Sequence, residues 1–415
     1  MSEAAHPGPP EAARGPRPAQ LSDPATAPLW QAIGALEDLA DPAALTRVRR
    51  EHPGADPDLV AAIATQVDLR RRAAPRLGPW ASTALWDPEA VQQATRADVA
   101  RYRARALAER WGGGTVADIG SSVGADAHAL AQAGFTVVAI ERDPWRAEAA
   151  RINLASDDVT VVCGDVLTLG TDILAACDAV YVDPARRPHA GPLRADGRRS
   201  RPVSDPQQWS PPWSWVVELS QTTPVVAKVA PGMDSRLIPP GADVEWVDHH
   251  GETVEATVWM GPGTRGERRA TSIAADAVDS LARTANSQDG GCTVTVVQRL
   301  LIEPSPGVVR AGLVGALAER LDAGRLQDST WLTAEGFSPT PLARAWQVIA
   351  EVPHTPRDLR AWLRGRGRVT WKTADTAASA KDWERRVGHR PAGAADVTIV
   401  ITGAGRAFAV ARPDG

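Results

Sequence analysis

The stretch TVADIGSSVGADAHALAQAGFTVVAIERD, residues 115–143, decides the fold of this chain. It predicts an apolar strand, a turn with Gly120 and Gly124, a helix, and a second apolar strand that ends at Glu141. Glycine is needed where the backbone bends sharply or lies against a ligand. A strand–helix–strand unit with a glycine-bearing first turn and an acidic residue about 20 positions later places a nucleotide-like ligand above the strand ends. We therefore expect an α/β sheet with a ligand site at this turn.

The spacing of the glycines indicates which ligand the turn holds. A pyrophosphate-binding GxGxxG turn would need glycine at positions 120, 122 and 125, and only the first is present, so a dinucleotide is disfavoured. The spacing D-x-G-x-x-x-G, from Asp118 to Gly124, instead resembles motif I of class I S-adenosylmethionine-dependent methyltransferases. The usual pattern of that family has a further glycine where this chain has Ser122.

This resemblance implies a set of cofactor contacts. Asp118, Gly120 and Gly124 would face the methionine end of S-adenosyl-L-methionine. Glu141 would accept hydrogen bonds from the ribose hydroxyls, a task that suits a carboxylate because it offers acceptors only. Asp165 would accept from the adenine amino group, with Val166 against the ring. The alternative for Asp165 is a loop carboxylate that caps the next turn.

Further strands follow the opening unit in alternation with helices, which is typical of a mostly parallel sheet. We predict strands at 159–163, 179–182 and 225–229, then a hairpin formed by 244–247 and 254–260, and later a strand at 294–302 and a helix at 308–321. This order matches the Rossmann-like, seven-stranded methyltransferase sheet. The predicted domains are a disordered tail (1–25), a helical N-terminal region (26–110), the methyltransferase domain (111–325) and a small α+β domain (330–413).

The tetrapeptide Asp183-Pro184-Ala185-Arg186 ends the fourth predicted strand. It stands where methyltransferases that modify exocyclic amines of bases carry D/N-P-P-Y/F/W. The resemblance implies that Asp183 and the carbonyl of Pro184 accept hydrogen bonds from the target amine and aim its lone pair at the methyl group. The aromatic residue that would stack on a flipped-out base is missing. The alternative is an Asp-Pro pair that only ends a strand.

Basic residues near this motif are candidates for substrate contacts. The loop from 187 to 212 is rich in arginine and would bind RNA phosphates, or it is an ordinary solvated loop. Lys228, at the end of the fifth strand, would touch phosphate or be an exposed strand terminus. The candidate substrate-binding residues are Arg186, Arg187, Arg198, Arg199 and Lys228. Trp209, Trp213 and Trp215 would stack on a base, although a place in the core or in a lid is favoured. For Arg96, Arg101, Arg103 and Arg105 a solvated helix face is favoured.

Composition limits the class of protein. The net charge of −4 excludes a globally basic nucleic-acid binder, but leaves room for a local basic patch. The 415 residues contain no apolar run of about 18 residues, so no membrane segment is expected. Three scattered cysteines and the lack of a signal region favour a cytoplasmic protein. The histidines have no partners at metal-binding spacing, so no metal is expected.

The chain as a whole resembles bacterial class I methyltransferases with a C-terminal THUMP-like domain. The stretches that carry the resemblance are LWDPEAVQQATRADVARYRA, DIGSSVGADAHALA, VYVDPARR, KVAPG, GVVRAGLVGALAERL and TPLARAWQV. More distantly, the methyltransferase part is similar to trimethylguanosine synthase-type enzymes. The resemblance implies an RNA partner and N-methylation of a base in RNA. The alternatives are a small-molecule methyltransferase and a non-catalytic RNA-binding protein with a decayed cofactor fold.

Overall fold

The computed structural model describes residues 15–170, 172–185, 205–275, 277–284, 293–393 and 395–412. The chain divides into two compact units. The first contains the residues up to Val229 together with Val258–Gly263, and the second contains Ala230–Thr257 and the residues from Thr264 onward.

The first unit begins with a helical region. Its helices are α1 (Pro18–Leu21), α2 (Ala27–Gly34), α3 (Pro42–Glu51), α4 (Pro57–Leu77), α5 (Pro88–Gln93) and α6 (Ala97–Trp111). Ile33, Ile63 and Trp86 are fully buried in its core. The predicted disordered tail reached residue 25, but α1 buries Leu21 against this core. The apolar period is too short here to be recognised from sequence.

A parallel sheet follows the helical region. Its elements are β1 (Thr115–Ile119), α7 (Ala125–Gln132), β2 (Thr136–Glu141), α8 (Pro144–Asn153), β3 (Val159–Cys163), α9 (Val166–Leu169), α10 (Asp172–Ala175), β4 (Ala179–Val182), α11 (Trp213–Leu219) and β5 (Val225–Val229). The strand order is β3-β2-β1-β4-β5, and all four pairings between these strands are parallel. The chain leaves β1 toward β2 and returns to β4 on the other side. This switch point is where ligands bind in open α/β sheets.

Aspartate followed by proline starts six of the helical segments that the structure describes. All seven Asp-Pro pairs of the chain lie in the part that the structure describes. In six of them the aspartate carboxylate accepts a backbone N–H of the helix that follows: Asp23, Asp41, Asp56, Asp87, Asp143 and Asp205. This is a helix N-cap with proline at the first position. The seventh pair, Asp183-Pro184, is the exception, because the N–H of Ala185 donates to the carbonyl of Ser210 instead.

The second unit contains the hairpin and the carboxyl-terminal half of the chain. Its elements are β6 (Asp243–His249), β7 (Glu252–Met260, whose last residues belong to the first unit), β8 (Glu267–Ala274), β9 (Ala277–Thr284), β10 (Leu300–Pro304), α12 (Pro306–Ala311), α13 (Val314–Leu321), β11 (Gly324–Arg325), β12 (Leu332–Ala334), β13 (Ala343–Val352), α14 (Pro356–Trp362), β14 (Val369–Ala374), α15 (Ala380–Val387), β15 (Val397–Thr402) and β16 (Ala407–Ala411). The last seven strands form one sheet, in the order β11-β12-β10-β13-β16-β15-β14.

The structure departs from the sequence prediction in this half. The predicted sheet ended at the hairpin, but β8 pairs with β6 and β9 pairs with β8. Charged residues in β8 and β9 hid their alternation. Of the strand predicted at 294–302, only residues 300–302 lie in β10, and the helix predicted at 308–321 is broken at Gly312, whose φ is +70°. Since β10 pairs with β12 and β13, the terminal sheet already includes residues before 330. The domain boundaries drawn from sequence stay predictions.

Candidate functional site

The turn after β1 has a left-handed backbone at three alternate positions. The φ angles are +81° at Gly120, +54° at Ser122 and +97° at Gly124. A Cβ on Gly120 would lie 3.4 Å from the carbonyl oxygen of Asp183, which follows β4. The turn is therefore close to the end of β4, and Ser122 adopts a conformation that favours glycine.

Gly124 allows a close contact as well as a left-handed backbone. A Cβ at this position would lie 2.6 Å from Cδ1 of Leu154. We expect Gly124→Ala to lower the free energy of unfolding by about 1–3 kcal/mol, since backbone strain and overpacking add. Gly134→Ala is the matched control, because its φ is +94° with no atom within 4 Å of the added Cβ. Thermal melts of both variants measure the difference, and equal losses would contradict the role of Leu154.

Glu141, the last residue of β2, accepts a hydrogen bond from the backbone of the same turn. Its Oε2 accepts the N–H of Ser122 at 2.9 Å, and its Oε1 accepts the N–H of Asp143 at 2.7 Å. Burial raises the pKa of Glu141, and the two backbone hydrogen bonds oppose that rise. Each carboxylate oxygen has a second lone pair, so Glu141 can accept further hydrogen bonds.

Asp118 is the most deeply buried carboxylate of the site. It is 1% exposed, and its Oδ2 makes no hydrogen bond to the described part of the chain. Burial raises the pKa of Asp118 well above its usual range, and Asp126, Asp183 and Glu141 add to the rise while Arg103 opposes it. An unpaired buried acceptor is costly, so its presence here points to a ligand that donates a hydrogen bond.

The raised pKa of Asp118 has a consequence for stability. The folded protein holds this proton more tightly than the unfolded chain, so the free energy of unfolding falls as the pH rises from about 4 through the raised pKa. We expect Asp118→Asn, which cannot ionise, to raise the melting temperature at pH 8 more than at pH 5. Melts of the ligand-free protein at both pH values test this, and an equal shift at the two values would contradict it.

Asp165 lies farther along the sheet, after β3. Its Oδ1 accepts the N–H of Leu167 at 3.0 Å, so it caps α9, as the alternative to adenine binding predicted. Val166 is buried, whereas Leu167 and Leu169 are exposed apolar side chains on the same short helix. Both roles of Asp165 stay open, because its Oδ2 takes no part in the cap.

Asp183 directly follows β4 and forms an ion pair with Lys228 of β5. Lys228 Nζ lies 2.5 Å from Asp183 Oδ2 and donates to Thr95 Oγ1 at 3.1 Å. The Lys228 side chain is only 14% exposed and that of Asp183 is 32% exposed. Lys228 is therefore not an exposed strand terminus, and that alternative is wrong, whereas its contact with a substrate phosphate stays a prediction. The cause is the carboxylate on the neighbouring strand, which a linear reading does not reveal.

Three polar residues that the sequence reading missed extend this ion pair. Thr95 donates to Asp126 Oδ2 at 3.1 Å, and Asp126 forms an ion pair with Arg103. Arg103 is 4% exposed and its guanidinium lies over the Tyr181 ring at 4.6 Å. The solvated face favoured for Arg103 is therefore wrong. Its spacing from Val99 and Leu107 placed it on the buried face of α6, and that signal was available.

The segment after Asp183 is held against the tryptophan-rich stretch. Ala185 and Ser210 exchange backbone hydrogen bonds of 2.9 and 3.1 Å. Trp209 and Trp213 are buried and meet edge to face at 6.2 Å, which favours the core reading over base stacking. The predicted substrate-binding residues Arg186, Arg187, Arg198 and Arg199 lie outside the described residues.

The remaining expectations concern metals and membranes. Across the described ranges, no group of three or more His, Cys, Asp or Glu residues is arranged to hold a metal ion. Within those same ranges, no helix has the length and apolar character needed to cross a bilayer. The cytoplasmic location stays a prediction.

A left-handed turn and two buried carboxylates at the switch point of a parallel sheet define an α/β protein that binds a nucleoside-type ligand. The chain is 34% identical over 308 residues to an uncharacterized S-adenosylmethionine-dependent methyltransferase of Mycobacterium tuberculosis (strain CDC 1551 / Oshkosh), with 71% of this chain and 79% of the relative covered. The counterpart in strain ATCC 25618 / H37Rv matches equally. The chain belongs to the S-adenosylmethionine-dependent methyltransferases, and S-adenosyl-L-methionine is its cofactor.

A solved structure supports the fold. A candidate methyltransferase from Porphyromonas gingivalis W83 matches with a TM-score of 0.71 at 20% identity, and the match covers 89% of this chain and 98% of that one. No family model matches the chain. Several other solved structures are similar only at low TM-scores.

The residues present fit this cofactor. The unpaired Oδ2 of Asp118 suits the ammonium group of a methionine moiety, since a buried carboxylate binds a cation with a hydrogen bond of its own. Glu141 has lone pairs left for hydroxyl donors. The turn at Gly120 presents backbone rather than side chain to the same space.

Proposed function

We propose that this enzyme methylates an exocyclic amine of a base in RNA. One observation carries the proposal. Asp183-Pro184 is the one Asp-Pro pair of the seven in which the aspartate carboxylate accepts no hydrogen bond from a described backbone N–H, and its Oδ2 pairs with Lys228 instead. The backbone carbonyl of Asp183 lies beside Gly120, in the turn to which we assign the cofactor.

We assign the cofactor contacts to the residues at the ends of β1 and β2. Asp118 would hold the ammonium group, the backbone at Gly120 and Gly124 would line the methionine moiety, and Glu141 would bind the ribose hydroxyls. Asp165 and Val166 would flank the adenine. When bound, the cofactor supplies a methyl group on a positively charged sulfur, so positioning of the acceptor is the main task left to the protein.

Asp183 and Pro184 would bind the acceptor. The Asp183 carboxylate and the carbonyl of Pro184 each accept one N–H of the amine, which turns the nitrogen lone pair toward the methyl group. An exocyclic amine of a base is a weak nucleophile because its lone pair is delocalised into the ring. Two acceptors on its hydrogens return electron density to the nitrogen, and the backbone link of Ala185 to Ser210 fixes both acceptors.

RNA as the partner is supported by two features of the sequence. The segment 186–201 is rich in arginine, and the residues from 330 to 413 resemble THUMP-like modules of RNA-modifying enzymes. Arginine on both segments would bind phosphates without reading the sequence.

The test uses total RNA from cells that lack this gene as the acceptor. The protein is incubated with this RNA and isotopically labelled S-adenosylmethionine, and the digested nucleosides are analysed by mass spectrometry. We expect label in a nuclease-sensitive fraction, on a nucleoside whose extra mass lies on the base, with wild-type protein and not with Asp183→Ala. Label that appears only in small molecules of a cell extract would favour the small-molecule reading.

A further inference from the structure

The ion pair with Lys228 makes the two carboxylate oxygens of Asp183 different from each other. Lys228 Nζ occupies Oδ2 at 2.5 Å. Asp183 Oδ1 makes no hydrogen bond to any described residue, and the side chain is 32% exposed, so this oxygen remains for a ligand.

The position of Lys228 is fixed from the other side by Thr95. A hydroxyl has one proton and two lone pairs. Since the Thr95 proton points at Asp126 Oδ2, a lone pair of Thr95 Oγ1 receives Lys228 at 3.1 Å. Asp126 is in turn paired with the buried Arg103. A series of contacts therefore links Arg103 of α6, Asp126 of α7, Thr95 between α5 and α6, Lys228 of β5 and Asp183 after β4.

We propose that Lys228 is a positioning residue for Asp183, and that Thr95 sets the direction of its ammonium group. This inference rests on the proposed role of Asp183 toward an amine. By occupying Oδ2, Lys228 fixes the plane of the carboxylate so that Oδ1 accepts the amine hydrogen.

Methyl transfer to the amine needs no groups beyond the methyl donor, the amine, Asp183 and water. The amine nitrogen gives its lone pair to the methyl carbon, and the electron pair of the broken carbon–sulfur bond stays on sulfur. The nitrogen then carries one proton too many, which passes to Asp183 Oδ1 and on to water. Lys228 keeps its own protons throughout.

The first experiment is Lys228→Met, assayed with total RNA from cells lacking the gene and, in parallel, with free adenosine and guanosine. We expect kcat to fall about tenfold or more while the Kd for S-adenosylhomocysteine stays unchanged. Arg320→Met is the control, because Arg320 forms a 2.6 Å ion pair with Asp279 and lies outside both segments proposed to bind RNA. It should leave kcat unchanged.

A double variant separates positioning from mere stability. In Asp183→Asn the single side-chain oxygen must accept from Lys228, so the NH2 group faces the amine and activity falls. Adding Lys228→Met frees that oxygen, and the double variant should be more active than Asp183→Asn alone. A double variant that is no better than Asp183→Asn would overturn the inference.

Thr95 provides a variant that keeps the ion pair. Thr95→Val removes the hydroxyl with little change of shape, and we expect a several-fold lower kcat with unchanged binding of S-adenosylhomocysteine. Thr95→Ser keeps the hydroxyl and should restore the rate; equal rates for Val and Ser would count against the role of Thr95. If the wild-type protein methylates none of these acceptors, the proposed function fails and this inference falls with it. If the wild type is active and the variants match it, this inference alone fails.

Discussion

Asp183→Ala is expected to lower kcat for methyl transfer by about 10²- to 10⁴-fold, the range for loss of a positioned group that accepts a proton in the reaction. The Kd for S-adenosylhomocysteine should stay within about twofold of the wild-type value. The two effects separate because the side chain of Asp183 pairs with Lys228, whereas the proposed cofactor contacts lie on β1 and β2.

Single-turnover kinetics and calorimetry measure these two quantities. Asp234→Ala is the control, because Asp234 forms an exposed ion pair with Arg236 in the second unit and should change neither. A kcat within threefold of wild type in Asp183→Ala would remove Asp183 from the reaction. Weakened cofactor binding at full kcat would move it to the cofactor side.

Glu141→Ala is expected to weaken binding of S-adenosylhomocysteine by about 10- to 100-fold. Hydrogen bonds to a charged acceptor each contribute about 1.5–3 kcal/mol, and the loss of one or two of them accounts for this range. The turn also loses the acceptor for the N–H of Ser122, so the left-handed backbone there is less well fixed. Calorimetric titration gives the Kd, and an unchanged value would contradict the ribose assignment.

Two further variants refine this result. Glu148→Ala removes a carboxylate of α8 that binds Arg17, and it should leave the Kd unchanged. Because burial raises the pKa of Glu141, binding to the wild type should weaken as the pH falls through that raised value. Glu141→Gln should bind more weakly at neutral pH and lose this pH dependence, since an amide does not titrate.

The sequence predicted where the proposed cofactor residues lie in the fold because those residues are close together along the chain. Asp118, Gly120 and Glu141 lie on one strand–turn–helix–strand unit, so spacing along the chain determines their positions in space. Even Ser122, which departs from the glycine pattern, takes the left-handed conformation that the pattern requires.

The acceptor half was predicted poorly because its contacts join distant parts of the chain. Thr95 and Lys228 are 133 positions apart, and no periodicity connects them. Lys228 was read as a phosphate contact or an exposed strand terminus, and Arg103 was read as solvated although its helix face is apolar. In both cases a carboxylate, Asp183 or Asp126, pairs with the cation and allows it to be buried.

The contact of Thr95 with Lys228 also bears on how such enzymes diversify. The proposed cofactor contacts come only from residues between β1 and the start of α9. The proposed acceptor contacts depend on Thr95, in the turn between α5 and α6. Changes around Thr95 can therefore alter which amine is methylated, and how fast, while leaving the affinity for the methyl donor intact. A lineage could exchange one target for another by revising a helical turn outside the sheet.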